Sequence, residues 1–345
     1  LSRRTRQRIR LYITLIALSV LAGFTHSYLT RESSIPVEYN NLAFDSFSWF
    51  FGASLYLAFD LFWIPSRYGA MIRRMYFLKV IAVKAFVLTN IVILSGFISQ
   101  AIFLEALSFK FLLSPDFYQT VVIVILVATV LLTITQIVRI IGARTLVNFI
   151  LGRYHQPVHE DTIFLFLDLA DSTALTERLG DLGVQTMITQ FFFDISEPII
   201  EFGGEIHRYV GDQVVVTWPL KSPEENIRAI DCYFAIVRRV VEKSEKYKQQ
   251  FQTVPRFRVG LHGGPVVISE CGDQKQEISY FGDTVNTAAR IESHCKTLDC
   301  PLLISSELLQ HIQLPSSYQA QPKHSVQLRG RESKTELFTI VLSDN

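Results

Sequence analysis

The sequence predicts a helical membrane domain followed by a soluble domain in which short strands alternate with helices. Three observations lead there. The 345 residues are 49% hydrophobic and only 19% charged, with a mean hydropathy of +0.27, which is apolar for a purely soluble chain. The excess is concentrated in the first 141 residues, in long apolar runs. From residue 161 the pattern changes to short apolar runs punctuated by Gly and Asp. A net charge of +1 argues against an overall nucleic-acid-binding field.

Residues 9–29, 44–64, 77–104 and 118–141 each approach or exceed the roughly 20 apolar residues that cross a bilayer as a helix. Helices satisfy their own backbone in hydrocarbon, so four transmembrane helices are expected. Arg3, Arg4, Arg6, Arg8 and Arg10 lead the first run. Arg67, Arg73, Arg74 and Lys79 separate the second from the third, and Arg139, Arg144 and Arg153 close or follow the fourth. The other two loops carry only Arg31 and Lys110. The positive-inside rule then puts both termini and the soluble half in the cytoplasm, with the plasma-membrane bilayer as a partner. The first run also reads as a signal peptide, and its removal would leave the other helices oriented as before.

Asp60 and Lys84 are costly in a membrane unless paired. They fall toward the cytoplasmic ends of consecutive helices, where they either pair or snorkel separately. His26 stands alone among apolar residues and suggests neither haem nor metal. Residues 142–160 form a linker with Leu146, Phe149 and Ile150 at helical spacing and Gly152 and Pro157 at its end. The expected domains are therefore a membrane domain (1–141), a helical linker (142–160) and a soluble domain (161–345). Cys232, Cys271, Cys295 and Cys300 all lie in the soluble half and read as free thiols.

In the soluble half, residues 163–169 read as a strand buried on both faces, with Asp168 near its end. Asp171, Ser172 and Thr173 then open a helix whose first-turn N–H groups suit a phosphate. A long helix over 183–201 precedes a hairpin: strand 205–210, a Gly211-Asp212 turn, and strand 213–218. Two carboxylates at a strand end and a turn, beside a helix N-terminus, suit a divalent metal on a polyphosphate. A helix over 222–248, a strand over 256–264, a turn and a further strand follow. A short strand then leads through Gly282-Asp283 into a helix on which Asn286 and Arg290, four apart, share a face. An amide and a guanidinium there suit a sugar and a phosphoryl group.

The stretches LFLDLADST, YVGDQVVVTW and YFGDTVNTAARIE resemble the class III adenylyl and guanylyl cyclases, in order and spacing, across roughly residues 160–342. The resemblance implies a ferredoxin-like βαββαβ core that works as a homodimer on ATP, with two Mg²⁺ or Mn²⁺ ions per site. Asp168, Asp212 and the Leu169 backbone match the metal-binding positions of one protomer. Leu169, Ala170, Asp171, Ser172 and Thr173 match the phosphate-binding turn, and Arg329 the residue that grips the triphosphate tail. Asn286, on the ribose, and Arg290, on the reacting phosphate, would come from the other protomer.

Two positions depart from the commonest pattern. The base-reading Lys is Arg208, and its usual Asp partner is Ser279. Ser279 can accept from the adenine amino group while Arg208 donates to a ring nitrogen, although a hydroxyl can serve guanine as well. An adenylyl cyclase is the leading reading. A guanylyl cyclase and a catalytically silent nucleotide-binding regulator are the alternatives. Gly203-Gly204-Glu205 is superficially like a diguanylate cyclase turn, but Ile206 and His207 stand where its acidic pair would continue.

Overall fold

The computed structural model describes residues 3–29, 39–66, 68–73, 75–103, single positions between 118 and 138, and residues 142–274, 276–327 and 334–343. The chain forms two compact units, residues 1–146 and 147–345; this division falls inside the stretch read as a linker.

In the first unit, α1 (Arg3–Leu29) is followed by α2 (Tyr39–Ala58), a π turn (Phe59–Trp63), a short α3 (Ala70–Arg73) and α4 (Phe77–Phe103). Helices α2 and α4 are joined by a hydrogen bond from Ser48 Oγ to Ser99 Oγ at 2.6 Å. Phe44 and Phe47 also meet the Phe103 ring edge-on. Small hydroxyl residues at such a seam let helices approach closely and bond across it.

Asp60, in the π turn, forms an ion pair with Lys84 of α4, so the two charges satisfy each other rather than snorkelling apart. The segments Arg8–Thr25 and Leu78–Phe103 are long and apolar enough to cross a membrane. The run expected over 44–64 is divided between α2 and the π turn. The fourth run, Arg31, Lys110 and the His26 side chain lie largely or wholly outside the described residues. The linker stretch contains α5 (Ala143–Ile150).

The second unit is built on an eight-stranded sheet. Its strands are β1 (Val158–Leu169), β2 (Glu205–Val210), β3 (Gln213–Pro219), β4 (Phe257–Cys271), β5 (Glu277–Phe281), β6 (Leu302–Ser305), β7 (Tyr318–Val326) and β8 (Thr335–Leu342). They run in the order β2-β3-β1-β4-β6-β8-β7, with β5 paired to β4. The helices are α6 (Ser172–Glu201), α7 (Pro223–Asn226), α8 (Arg228–Glu242), α9 (Ser244–Phe251), α10 (Asp283–Thr297) and α11 (Ser306–Leu309). The order of the first four strands, with α6 and α8 as crossovers, is the expected βαββαβ arrangement.

The two-residue period of β1 sorts its side chains between two cores. Ile163, Leu165, Leu167 and Leu169 enter the larger one, with Phe191 and Ile195 of α6 and Ile230 and Ile236 of α8. Phe164 and Phe166 face the other, with Val215, Val266 and Ala288 of α10. By the same period Asp168 belongs to this second face, and the candidate site lies on it.

Three expectations change. The two helices read around 172–179 and 183–201 run together as α6, broken at Gly180 (φ 69°, ψ 166°). The helix read over 222–248 is three, α7, α8 and α9. The turn expected at Gly263-Gly264-Pro265 is absent, because β4 continues through it in register with β1. Those glycines make room instead: a Cβ on Gly263 would lie 2.9 Å from Leu308, and one on Gly264 3.1 Å from Thr284 Oγ1. The four cysteines are free.

Candidate active site

Asp168 reaches the site because β1 is central and paired on both sides. It stands opposite Gln213 of β3 and Arg258 of β4. Asp212 precedes Gln213 in the β2–β3 turn, where Gly211 supplies the positive φ (61°) that a tight hairpin needs. The two carboxylates are thereby brought together.

Their mutual effect shows in protonation. Burial first, and then the Asp212 charge, push the Asp168 carboxyl up to about 6, against an opposing pull from Arg258. Glu292 of α10, 7% exposed, is raised to about 7 by burial and by the charges of Asp168 and Asp212, with Arg258 again opposing. Among the described residues no group of three His, Cys, Asp or Glu side chains is arranged to hold a metal by itself. Two half-buried like charges nevertheless fit a divalent ion that takes its other oxygens from backbone and nucleotide.

Helix α6 starts at Ser172, with Asp171 as its N-cap in a left-handed conformation (φ 61°) and no side-chain cap bond. The Asp171 carboxylate is held by Arg256 and lies 3.6 Å from Arg258. The Leu169–Thr173 turn is therefore a helix N-terminus flanked by two guanidinium groups. Sequence reading missed both arginines; their signal was the basic pair alternating along the RFRVGLHGG strand.

Helix α10 lies hard against β4. A Cβ on Gly260 would come within 2.3 Å of Glu292 N and 2.8 Å of Ala288 O, so only glycine allows this approach. The outer face of α10 then presents Asn286, which is exposed, and Arg290. Arg290 Nη1 is buried without a hydrogen-bond partner; the Asp283 carboxylate, at 4.0 Å, is too far to bond it.

Arg208, on β2, has its Nη2 3.6 Å from Glu277 of β5. Ser279 lies two residues along β5, on the same face as Glu277. The structure thus places Asp168 with Asp212, Arg208 beside Glu277 on the strand that carries Ser279, and Asn286 with Arg290 on one helix. Among the described residues no hydrogen bond or ion pair joins the carboxylates to Arg208, Ser279, Asn286 or Arg290. Arg329 lies outside the described residues.

The sequence profile described as the adenylate and guanylate cyclase catalytic domain matches residues 154–343. The chain belongs to this family. Adenylate cyclase 2 of Rhizobium meliloti (strain 1021) is 37% identical over 207 residues, covering 60% of this chain and 57% of that protein. An adenylate cyclase of Anabaena cylindrica is 24% identical over 183 residues, covering 51% and 36%. The chain therefore spans little more than half of the first relative's length and about a third of the second's. A bacterial light-regulated adenylyl cyclase superposes on the chain with a TM-score of 0.52 at 22% identity, over 62% of this chain and 63% of that one. The adenylyl cyclase CyaB from P. aeruginosa gives 0.50 at 19%, over 55% and 97%. At these identities the solved structures speak for the fold.

Proposed function

We propose that the chain is a membrane-anchored adenylyl cyclase that converts ATP to 3′,5′-cyclic AMP and pyrophosphate as a homodimer. The observation that carries this reading is the Asp168–Asp212 pair, two half-buried carboxylates of like charge set beside a helix N-terminus. Resemblance to named adenylate cyclases supports ATP as the substrate.

Asp168, Asp212 and the Leu169 carbonyl would hold two Mg²⁺ or Mn²⁺ ions, which when bound acidify the attacking hydroxyl and neutralise the leaving phosphates. The Leu169–Thr173 backbone, with Arg256, Arg258 and Arg329, receives the triphosphate. Asn286 orients the ribose so that its 3′-oxygen lies in line with the α-phosphorus. That oxygen bonds to phosphorus as the bond to the β-phosphate bridge breaks, the hydroxyl proton goes to solvent, and pyrophosphate leaves. Arg290 meets the negative charge that grows on the phosphoryl oxygens, and its unpartnered Nη1 suits that task.

A partner protomer supplying Asn286 and Arg290 explains why they make no bond to the carboxylates of their own chain. Exposed Tyr209, Val210 and Phe281 flank Arg208 and Ser279 and offer apolar surface for that contact. In a symmetric pair both sites are complete. The apolar segments of the first unit support membrane anchoring, with both termini and the catalytic domain cytoplasmic at the plasma membrane.

The Glu277 carboxylate beside Arg208 favours guanine as a second reading, because it can accept from the guanine N1–H and amino group. Purified full chain with Mn²⁺, offered ATP and GTP separately, decides between them by chromatography of the products. Cyclic AMP that disappears in Asp168→Ala and Asp212→Ala is the expected result. Retained turnover in either variant overturns the metal assignment.

A further inference from the structure

Neighbouring side chains in a regular strand point to opposite faces and cannot bond each other. His207 and Arg208 break that rule. On β2, Ile206 pairs with Val216 and Arg208 with Val215, so His207 is the extra residue of a β-bulge with no β3 partner of its own. A bulge turns adjacent side chains toward one side and re-aims them. Here Arg208 Nε donates to His207 Nε2 at 3.0 Å.

We propose that His207 is a positioning residue for the purine, fixing through this bond the direction in which Arg208 reads the base. The inference rests on the reading of Arg208 as the base-recognising residue. It adds how a long, flexible side chain is aimed.

The imidazole is itself anchored. Its ring meets Tyr280 edge-on, with centroids 4.8 Å apart. Tyr280 in turn meets Phe164 edge-on at 5.4 Å, and Phe164 is fully buried in the central strand. A line of rigid contacts therefore runs from the core to the guanidinium. Accepting at Nε2 requires the neutral tautomer with its proton on Nδ1. Burial, and then the Arg208 charge, keep the ring neutral by lowering its pKa to about 4.

With Nε bonded to His207 and Nη2 beside Glu277, Nη1 carries the donors that neither contact uses. Those are the donors available to a ring nitrogen of a purine. Lysine has no second attachment point of this kind, so in this chain it is the guanidinium of Arg208 that lets His207 fix its direction.

The test uses the full chain with His207→Leu, which removes the acceptor, and His207→Gln, which keeps one. Steady-state constants for ATP and GTP are measured beside equilibrium binding of 3′-deoxy-ATP, which lacks the attacking hydroxyl. Circular dichroism checks folding. Losing one charge-assisted hydrogen bond predicts that His207→Leu weakens ATP KM and 3′-deoxy-ATP binding about tenfold. The preference for ATP over GTP falls about as much, kcat stays within about twofold, and His207→Gln recovers most of the loss.

Unchanged KM and preference in His207→Leu overturn the proposal, as does equal damage in the two variants, which would mean ring packing alone. If the wild-type chain makes no cyclic nucleotide, the proposed function fails. The 3′-deoxy-ATP binding series still decides the role of His207.

Discussion

Asp168 of β1 faces Arg258 of β4 directly across the antiparallel ladder. One guanidinium thus answers two acids, half-buried Asp168 and buried Glu292, both of which also feel Asp212. The site is anionic and only partly neutralised by its own protein.

That imbalance gives a pH dependence whose sign is the reverse of a salt-bridged carboxylate. Asp168 titrates near 6 and Glu292 near 7 when folded, above their unfolded values, so the native state holds protons that the unfolded chain releases. The stabilisation is complete below the unfolded values and is lost as pH rises through 6 to 7. Metal-free full chain is expected to melt at a lower temperature at pH 8 than at pH 5. The Asp168→Asn/Glu292→Gln double variant narrows that gap, and excess Mn²⁺ raises the pH 8 midpoint in the wild type alone. Calorimetry across this range checks it, and a midpoint that climbs with pH refutes it.

Arg290→Ala is expected to lower kcat about 10²- to 10³-fold with little change in KM, since its charge is needed as the phosphate reacts. Lys at this position restores little, lacking the planar fork. Co-expressing Asp168→Asn chains with Arg290→Ala chains, each inactive alone, regains about a quarter of wild-type activity. Half of the random pairs are mixed, and each mixed pair has one intact site. No recovery would place all the catalytic residues within one protomer.

Gly260→Ala inserts a methyl where 2.3 Å separates its position from the α10 backbone. Overpacking of this kind costs about 1–3 kcal/mol. The helix must shift, so kcat falls together with stability in chemical denaturation. A variant with normal stability and turnover would contradict the close approach.

Asp60 and Lys84 form a buried pair, with the lysine side chain 4% exposed. Removing one partner strands the other charge, so Asp60→Asn or Lys84→Met is expected to destabilise the first unit by about 3–5 kcal/mol. The double variant recovers much of that loss. Protease resistance of the full chain in mild detergent, compared across the three variants, reads the pattern.

The catalytic half was legible because its motifs depend on local chemistry. Asp168 is the polar residue near the end of an apolar strand, Gly211-Asp212 is a hairpin turn, and Asn286 and Arg290 follow helical spacing. Contacts between distant strands were not legible. Arg256 and Arg258 resemble ordinary strand residues until register sets Arg258 opposite Asp168, and Glu292 lies in plain helical sequence until Gly260 admits its helix. The His207 bulge has no sequence mark, because an extra residue is defined only against the partner strand. Gly263 and Gly264 misled for a related reason: glycine signals a turn or a close approach alike, and here neighbouring Leu308 and Thr284 decide which.

Fastened at Gly260, α10 passes displacement on rather than absorbing it. Its inner side rests beside one carboxylate pair while, in the proposed dimer, its outer side works on the nucleotide of the neighbour. Filling one site would then be felt at the other, and velocity plotted against nucleotide concentration would bend away from a simple hyperbola.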